Sequence, residues 1–372
     1  MRIIDIANSD LAGENVKCYN PGIAKVGNKF VMAFRYEPAR SYETEIALID
    51  LDRHFHPVGA FKKLSIPRWS SKVVTIDDPR LIIINGDLIV VHAQAMLTAA
   101  WTWYSRVCVT AVGSGGTSKW WNFPEYGRPG LEKNWTPINY NNLLHFVYTI
   151  NPLVVLGYPN IDKSKPGERL FPKMLEVSRA EPARIPWRHG VPCGGTNMVQ
   201  RGEEFIGLFH SWGPEIEKPT RSEQRTYYVG AWAMTAQKPF RLTRMSRKPL
   251  MVAERDAAND LRGNGSAWHP NVIYPCGLLE HDGMLYASYG WQDCRCKIAE
   301  FTWHEVESGM DEISPVARGK ADPLPVRAGP ESTGHQVHPV MSETEADHVP
   351  TVENEKRPEP RKAKRPKSIF AL

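Results

Sequence analysis

Two adjacent carboxylates, Asp77 and Asp78, stand before a proline and an arginine in 77-DDPR-80. The proline limits the backbone of the residue before it, so the pair sits on a turn of set direction. Carboxyls aimed in this way can pass a proton to a leaving group. An Asx-turn, with either side chain bonding local backbone, is the alternative use of the pair. In 132-EKNWTP-137, Trp135 and Pro137 pin the loop that carries Lys133. A neighbouring Glu–Lys pair on a surface is worth little, but a lysine on a pinned loop is aimed. The run 194-GGTN-197 lets backbone approach a ligand closely, and equally suits a plain tight turn. The run 289-YGWQD-293 is an aromatic-bounded turn ending in Asp293. Six cysteines include one C-x-C pair, Cys294 and Cys296, but no CxxC and no Cys/His group of zinc spacing. No metal site is expected.

Such residues need elements that bring them together, and the chain repeats. A turn rich in Gly or Asn followed by an apolar run of strand length recurs as 26-VGNKFVMAFR-35, 84-INGDLIVVHA-93, 140-YNNLLHFVYT-149, 200-QRGEEFIGLFH-210 and 281-HDGMLYASYG-290. Each turn also follows an apolar or β-branched segment, the pattern of a hairpin. Five hairpin-centred units of about 60 residues predict an all-β fold, a five-bladed β-propeller, over residues 1–305. A β-sandwich would carry turns at shorter spacing without the longer repeat. The second strand of each hairpin ends in polar residues: Arg35, then His92 and Gln94, Thr149 and Asn151, His210, and Tyr289 with Asp293. Equivalent strand ends in a propeller lie at one depth around the axis, so these ends are expected to converge on one pocket.

Composition sets the outer bounds. The 372 residues are 42% hydrophobic and 23% charged, which is globular and excludes a wholly disordered, collagen-like or coiled-coil chain. A net charge of +5 is too even to imply nucleic acid. There is no signal-peptide pattern at the start and no apolar run of membrane-span length. Cysteines without an export signal favour a reducing, cytoplasmic setting. From 306 to 372 the chain turns Pro-rich and mixed in charge, with the basic run 356-KRPEPRKAKRPK-367. That segment is expected to be a disordered tail, either simply solvated or touching an anionic polymer or headgroups. Self-association is left open.

Taken together, 20-NPGI-23, 33-AFR-35, 77-DDPR-80, 132-EKN-134, 194-GGT-196, His210, Tyr228 with Gly230 and Ala231, 275-PCG-277 and 289-YGWQD-293 resemble glycoside hydrolase family 130. That family groups inverting β-mannoside phosphorylases and β-mannosidases, with related β-mannosyltransferases sharing the fold. The resemblance covers about residues 18–302 and implies a five-bladed propeller enzyme. It implies Asp78 as general acid, with Asp77 standing where the family has Glu. The acid would act partly through a sugar hydroxyl, relaying its proton to the leaving oxygen. Inorganic phosphate would be the co-substrate, held by Lys133, His210 and Tyr228, with Arg106 as the candidate arginine, and no other cofactor is implied. An oligosaccharide or glycan would be bound by Asn20, Arg35, Asp293 and Tyr289, with Trp135, Trp212 and Trp291 available for stacking. Hydrolysis would need a second carboxylate as base; Glu203 and Glu204 lie at the turn end of their hairpin, away from such a pocket. A propeller that binds carbohydrate without chemistry is the remaining alternative.

Overall fold

The structure, a computed structural model, describes residues 1–13, 16–38, 43–98, 102–127, 130, 132–159, 170–214, 225–253 and 271–314. Strand β1 (Arg2–Ile6) and a short helix α1 (Asn8–Leu11) open the chain. A first sheet follows: β2 (Lys17–Val26), β3 (Lys29–Glu37), β4 (Glu45–Leu51) and β5 (Pro57–Lys63). The second is β6 (Thr75–Ile84), β7 (Asp87–Leu97), β8 (Trp103–Val112) and β9 (Ser118–Asn122). The third is β10 (Thr136–Tyr140), β11 (Leu143–Thr149), β12 (Val154–Gly157) and β13 (Leu175–Arg179). The fourth holds β14 (Cys193–Gly194), β15 (Val199–Arg201), β16 (Glu204–Pro214), β17 (Arg225–Thr235), β18 (Leu242–Ser246) and β19 (Met251–Val252). The last is β20 (Ile273–His281), β21 (Met284–Trp291) and β22 (Arg295–Thr302), followed by helix α2 (Trp303–Glu307) and β23 (Met310–Glu312). All pairings in these sheets are antiparallel.

The arrangement is all-β and propeller-like. Alternate residues of a strand point to opposite faces, and here both faces are buried. In β3, Phe30, Met32 and Phe34 pack toward the last sheet, while Ala33 packs toward the second. Apolar clusters of this kind lie between each successive pair of sheets, such as Val107 with Phe146, Val155 with Trp232, and Val229 with Leu278. Each such side chain, fully buried, stabilises by about 1.5–3 kcal/mol. The ring closes through the start of the chain: β1 pairs with β22, placing Ile4 opposite Ile298.

Two expectations change. Four sheets are the uniform four-stranded blades that the repeat predicts, but the fourth in chain order has seven strands. Its first strand is broken at 194-GGTN-197, where Thr196 Oγ1 accepts from Leu208 N (3.0 Å) in place of a backbone partner. Strands β19 and β23 then add to it. The folded part also runs past the expected boundary at 305, because α2 buries Val306 and β23 pairs with β18. Residues 315–372 of the expected tail lie outside the described residues. No helix among the described residues is long and apolar enough to cross a membrane.

Candidate active site

The first strands of three of the sheets share a local device. β2 shifts register between Tyr19 and Gly22, β6 between Asp77 and Arg80, and β20 between Pro275 and Gly277. Such bulges re-aim side chains and gather at active sites. Asn20 (φ 51°) and Asp78 (φ 55°) are left-handed within the first two of these shifts, and Asn134 (φ 66°) is left-handed in the loop before β10. Asn and Asp tolerate that region better than other non-glycine residues. Neighbouring backbones then come very close: a Cβ on Gly22 would lie 2.5 Å from the Pro79 carbonyl.

Asp77 and Asp78 are both held by Arg35, whose Nη2 lies 3.2 Å from Asp77 Oδ1 and whose Nη1 lies 3.7 Å from Asp78 Oδ1. Asn20 Nδ2 donates to Asp78 Oδ1 (2.7 Å), and the hydroxyls of Thr44 and Thr75 donate to Asp77 (3.0 Å each). These partners are side chains, so the pair is not a local Asx-turn. Burial pushes the Asp77 carboxyl above its ordinary range, the neighbouring Asp78 charge adds to this, and Arg35 and Lys133 only partly oppose it. Burial acts on Asp78 as well, but Arg35, Lys133, Arg80 and the Asn20 hydrogen bond together hold it below its ordinary range. The surroundings therefore favour the charged form more strongly at Asp78 than at Asp77.

Arg80 ties the sheets together. It is buried, with Nε donating to the Gly195 carbonyl, Nη1 to the Asp78 carbonyl (3.2 Å), and Nη2 to Tyr274 Oη (3.1 Å) and Asn134 Oδ1 (3.4 Å). Tyr274 Oη also donates to Asn134 Oδ1. One guanidinium thus reaches the second, fourth and last sheets and the loop that enters the third.

His210, buried on β16, stacks with Tyr227 (ring centroids 6.0 Å apart) and lies 4.6 Å from the Tyr274 ring. Burial, with Arg80 and Lys133 nearby, lowers its pKa to about 3, so the ring is neutral. Its Nδ1 is buried without a hydrogen-bond partner among the described residues. Lys133 is exposed, and its charge reaches Asp77, Asp78 and His210. Glu132 braces its loop, accepting from Trp135 Nε1 (2.9 Å) and Tyr148 Oη (3.2 Å). Asp293 sits half-buried on the turn after β21, with its charge acting on Arg35 and Tyr19. Among the described residues no group of three or more His, Cys, Asp or Glu could hold a metal ion.

Asn20, Arg35, Asp78, Lys133, His210 and Asp293 therefore come together, and three other candidates do not join them. Tyr228 lies opposite Ser211, one residue out of phase with His210, and its ring meets His189 (4.8 Å) instead. Tyr227, on the correct face, takes the place beside His210. Tyr289 is buried in the apolar cluster between the last two sheets. Arg106 pairs with Glu125 (2.5 Å) among the rings of Trp69, Tyr104 and Phe171. Of the possible stacking groups, Trp135 is core and Trp291 lies under Lys297.

The expected convergence of second-strand ends holds only in part. Gln94 binds the Trp69 amide and Pro67 carbonyl, Thr149 the Pro152 carbonyl, and Asn151 the Ala183 backbone. His92 faces Thr110 Oγ1 (3.2 Å), with burial lowering its pKa to about 4. The site is built mainly at the first strands, in front of these ends. Arg80, Asn134, Tyr227 and Tyr274 were not expected there. The paired signals 20-NP-21 and 78-DP-79, at equivalent points of successive repeats, could have revealed the first-strand device.

The buried histidines His92 and His210 predict an acid weakness. Both stay neutral in the fold, while in the unfolded chain they titrate near 6.5. As pH falls below 6.5 the unfolded state gains protons that the fold refuses, so each costs about 1.4 kcal/mol per pH unit until its folded pKa is reached. By pH 5 that is about 2 kcal/mol per histidine. In urea titrations at pH 7 and pH 5, His92→Gln should remove its share of the difference; an unchanged pH 7-to-5 loss would refute the assignment.

No family model and no curated protein matches the chain. Solved structures do. The β-1,2-mannobiose phosphorylase of Listeria innocua is 13% identical, covers 83% of this chain and 100% of its own, and aligns with a TM-score of 0.53. The mannose phosphorylase MPT-4 of Leishmania mexicana, in complex with phosphate ion, is 12% identical, with 86% and 94% covered and a TM-score of 0.50. A glycosyl hydrolase from Bacteroides ovatus is 10% identical, with 77% and 84% covered and a TM-score of 0.53. At these identities the likeness establishes a shared fold.

Proposed function

We propose that this chain is a carbohydrate-active enzyme of the glycoside hydrolase family 130 type. On this reading the seven-stranded sheet is one blade of a five-bladed propeller. The enzyme cleaves β-mannosides by inverting phosphorolysis, or builds them in reverse as a glycosyltransferase would. The observation that carries it is the Asp77–Asp78 pair, half-buried at Asp77 and buried at Asp78, beside the charge of Lys133 and a neutral His210. Phosphate attacks the anomeric carbon as the glycosidic C–O bond breaks, and the leaving oxygen takes a proton from Asp78 through a sugar hydroxyl. Lys133 supplies charge to the anion and His210 a neutral hydrogen bond. A dianion arriving beside the pair raises both carboxyl pKa values, which favours the protonated form that an acid needs. Asn20, Arg35 and Asp293 hold the sugar. Phosphate is the co-substrate and no further cofactor is required. The free thiols suit a cytoplasmic compartment.

Against hydrolysis by the Glu203–Glu204 pair, Glu204 is bound to Arg244 and Thr243, and Glu203 is exposed on its turn. Incubating β-linked mannobiose with and without inorganic phosphate tests the reading. Phosphate-dependent mannose 1-phosphate supports it; free mannose without phosphate means hydrolysis; sugar binding without turnover means a carbohydrate-binding propeller. Lys133→Ala should raise the phosphate concentration for half-maximal rate at least tenfold, and an unchanged value would remove Lys133 from the phosphate site.

A further inference from the structure

Tyr274, on β20, has no step of its own in the proposed reaction. It nevertheless meets His210 directly and Lys133 through a neighbour. Its ring packs on the His210 ring, with centroids 4.6 Å apart. Its hydroxyl accepts from Arg80 Nη2 (3.1 Å) and donates to Asn134 Oδ1, on the residue next to Lys133. The residue is 7% exposed. Burial pushes its hydroxyl well above the ordinary phenol range, so it stays a donor at working pH.

The loop carrying Lys133 is tied on either side of that residue. Before it, Glu132 accepts from Trp135 Nε1 (2.9 Å) and Tyr148 Oη (3.2 Å), and its backbone N–H donates to the Ser105 carbonyl (3.2 Å). After it, Asn134 is left-handed (φ 66°), and its carbonyl abuts Gly194 so closely that no Cβ fits there. The Asn134 amide is held by Tyr274 and by Arg80 Nη2, the latter at a long 3.4 Å. Arginine only donates, so the amide must turn its oxygen to this side. The phenol is the closer of the two holds. Lysine is a point charge on a flexible stem, so where its Cα stands decides what its ammonium reaches.

We infer that Tyr274 is a positioning residue for the anion: through Asn134 it sets the loop of Lys133, and through its ring it fixes the plane of His210. Its ligand, phosphate, comes from the reaction proposed above, and Tyr274 itself touches neither phosphate nor sugar. Misplacing such groups by about 1 Å costs up to about 10²-fold. A merely structural tyrosine would behave differently. Lost fold stability lowers the active fraction, hence kcat, and leaves half-saturating concentrations where they were.

Initial rates of the full chain on mannobiose at varied phosphate test this role. Tyr274→Phe keeps the ring and removes the hydroxyl. It should raise the phosphate concentration for half-maximal rate at least fivefold, and move kcat and the mannobiose value less than twofold. In a Lys133→Ala background the same substitution should move the phosphate value less than twofold, because the group it positions is gone. Tyr274→Leu, which removes the ring as well, should raise the phosphate value further. A loss confined to kcat, an equal rise for mannobiose, or a full fivefold rise without Lys133 overturns the role. Binding of inorganic phosphate alone, followed by phosphorus NMR line broadening, separates it from the reaction. Turnover with equal phosphate binding by native and Tyr274→Phe protein sinks this inference alone. Phosphate binding that Tyr274→Phe weakens, without native turnover, sinks the proposed reaction alone. No phosphate binding sinks both.

Discussion

Asp78→Asn is expected to cut phosphorolysis of mannobiose by roughly 10²–10⁴-fold, the range that proton transfer by a positioned group supplies. The fold should survive. Asparagine keeps an oxygen for Asn20 Nδ2, and Arg35 retains Asp77 at 3.2 Å. The loss should depend on the leaving group. A mannoside with a strongly acidic phenol departs without a proton, so the variant should recover most of its rate on that substrate. Equal losses on both substrates would mean that Asp78 binds the sugar and protonates nothing. Near-native rates on mannobiose would transfer the acid to Asp77, whose carboxyl holds its proton more firmly.

The legible part of this protein was the part written as a period. Strand pairs such as β6–β7 and β20–β21 carry continuous apolar runs because both sheet faces are buried between neighbours, and that survives as a hairpin signal in any one repeat. The axial residues Asn20, Asp78 and Lys133 were legible because they sit in short motifs beside prolines or tryptophans. Phase was not. Tyr227 and Tyr228 are adjacent and equally suited by type, yet a strand sends them to opposite faces. Only the register against β16 decides that Tyr227 meets His210. Arg106 failed for a related reason: a sequence shows that an arginine is present, but not that Glu125 and three rings already occupy it. The break in the fourth sheet's first strand falls on 194-GGTN-197, read from sequence only as a turn, and the sheet's strand count also takes in β23, which composition had assigned to the tail.

Arg80 carries the largest expected effect on stability. Its guanidinium is 2% exposed and serves two backbone carbonyls, a phenol and an amide drawn from different repeats. Arg80→Met removes the donors and leaves the Gly195 and Asp78 carbonyls without them inside the protein. Each orphaned acceptor costs about 1–3 kcal/mol, so a loss of about 3–5 kcal/mol in urea unfolding is expected. Arg80→Lys should recover little, because an ammonium is a point donor and cannot reproduce a planar fork reaching in several directions. Arg80→Met also removes one of the cations that lower Asp78, so its carboxyl should titrate higher in whatever folded protein remains. A destabilisation under about 1 kcal/mol in Arg80→Met, the value of one ordinary hydrogen bond, would mean that the sheets hold their places without this clamp, and that apolar packing between them alone sets the geometry of the carboxylate pair.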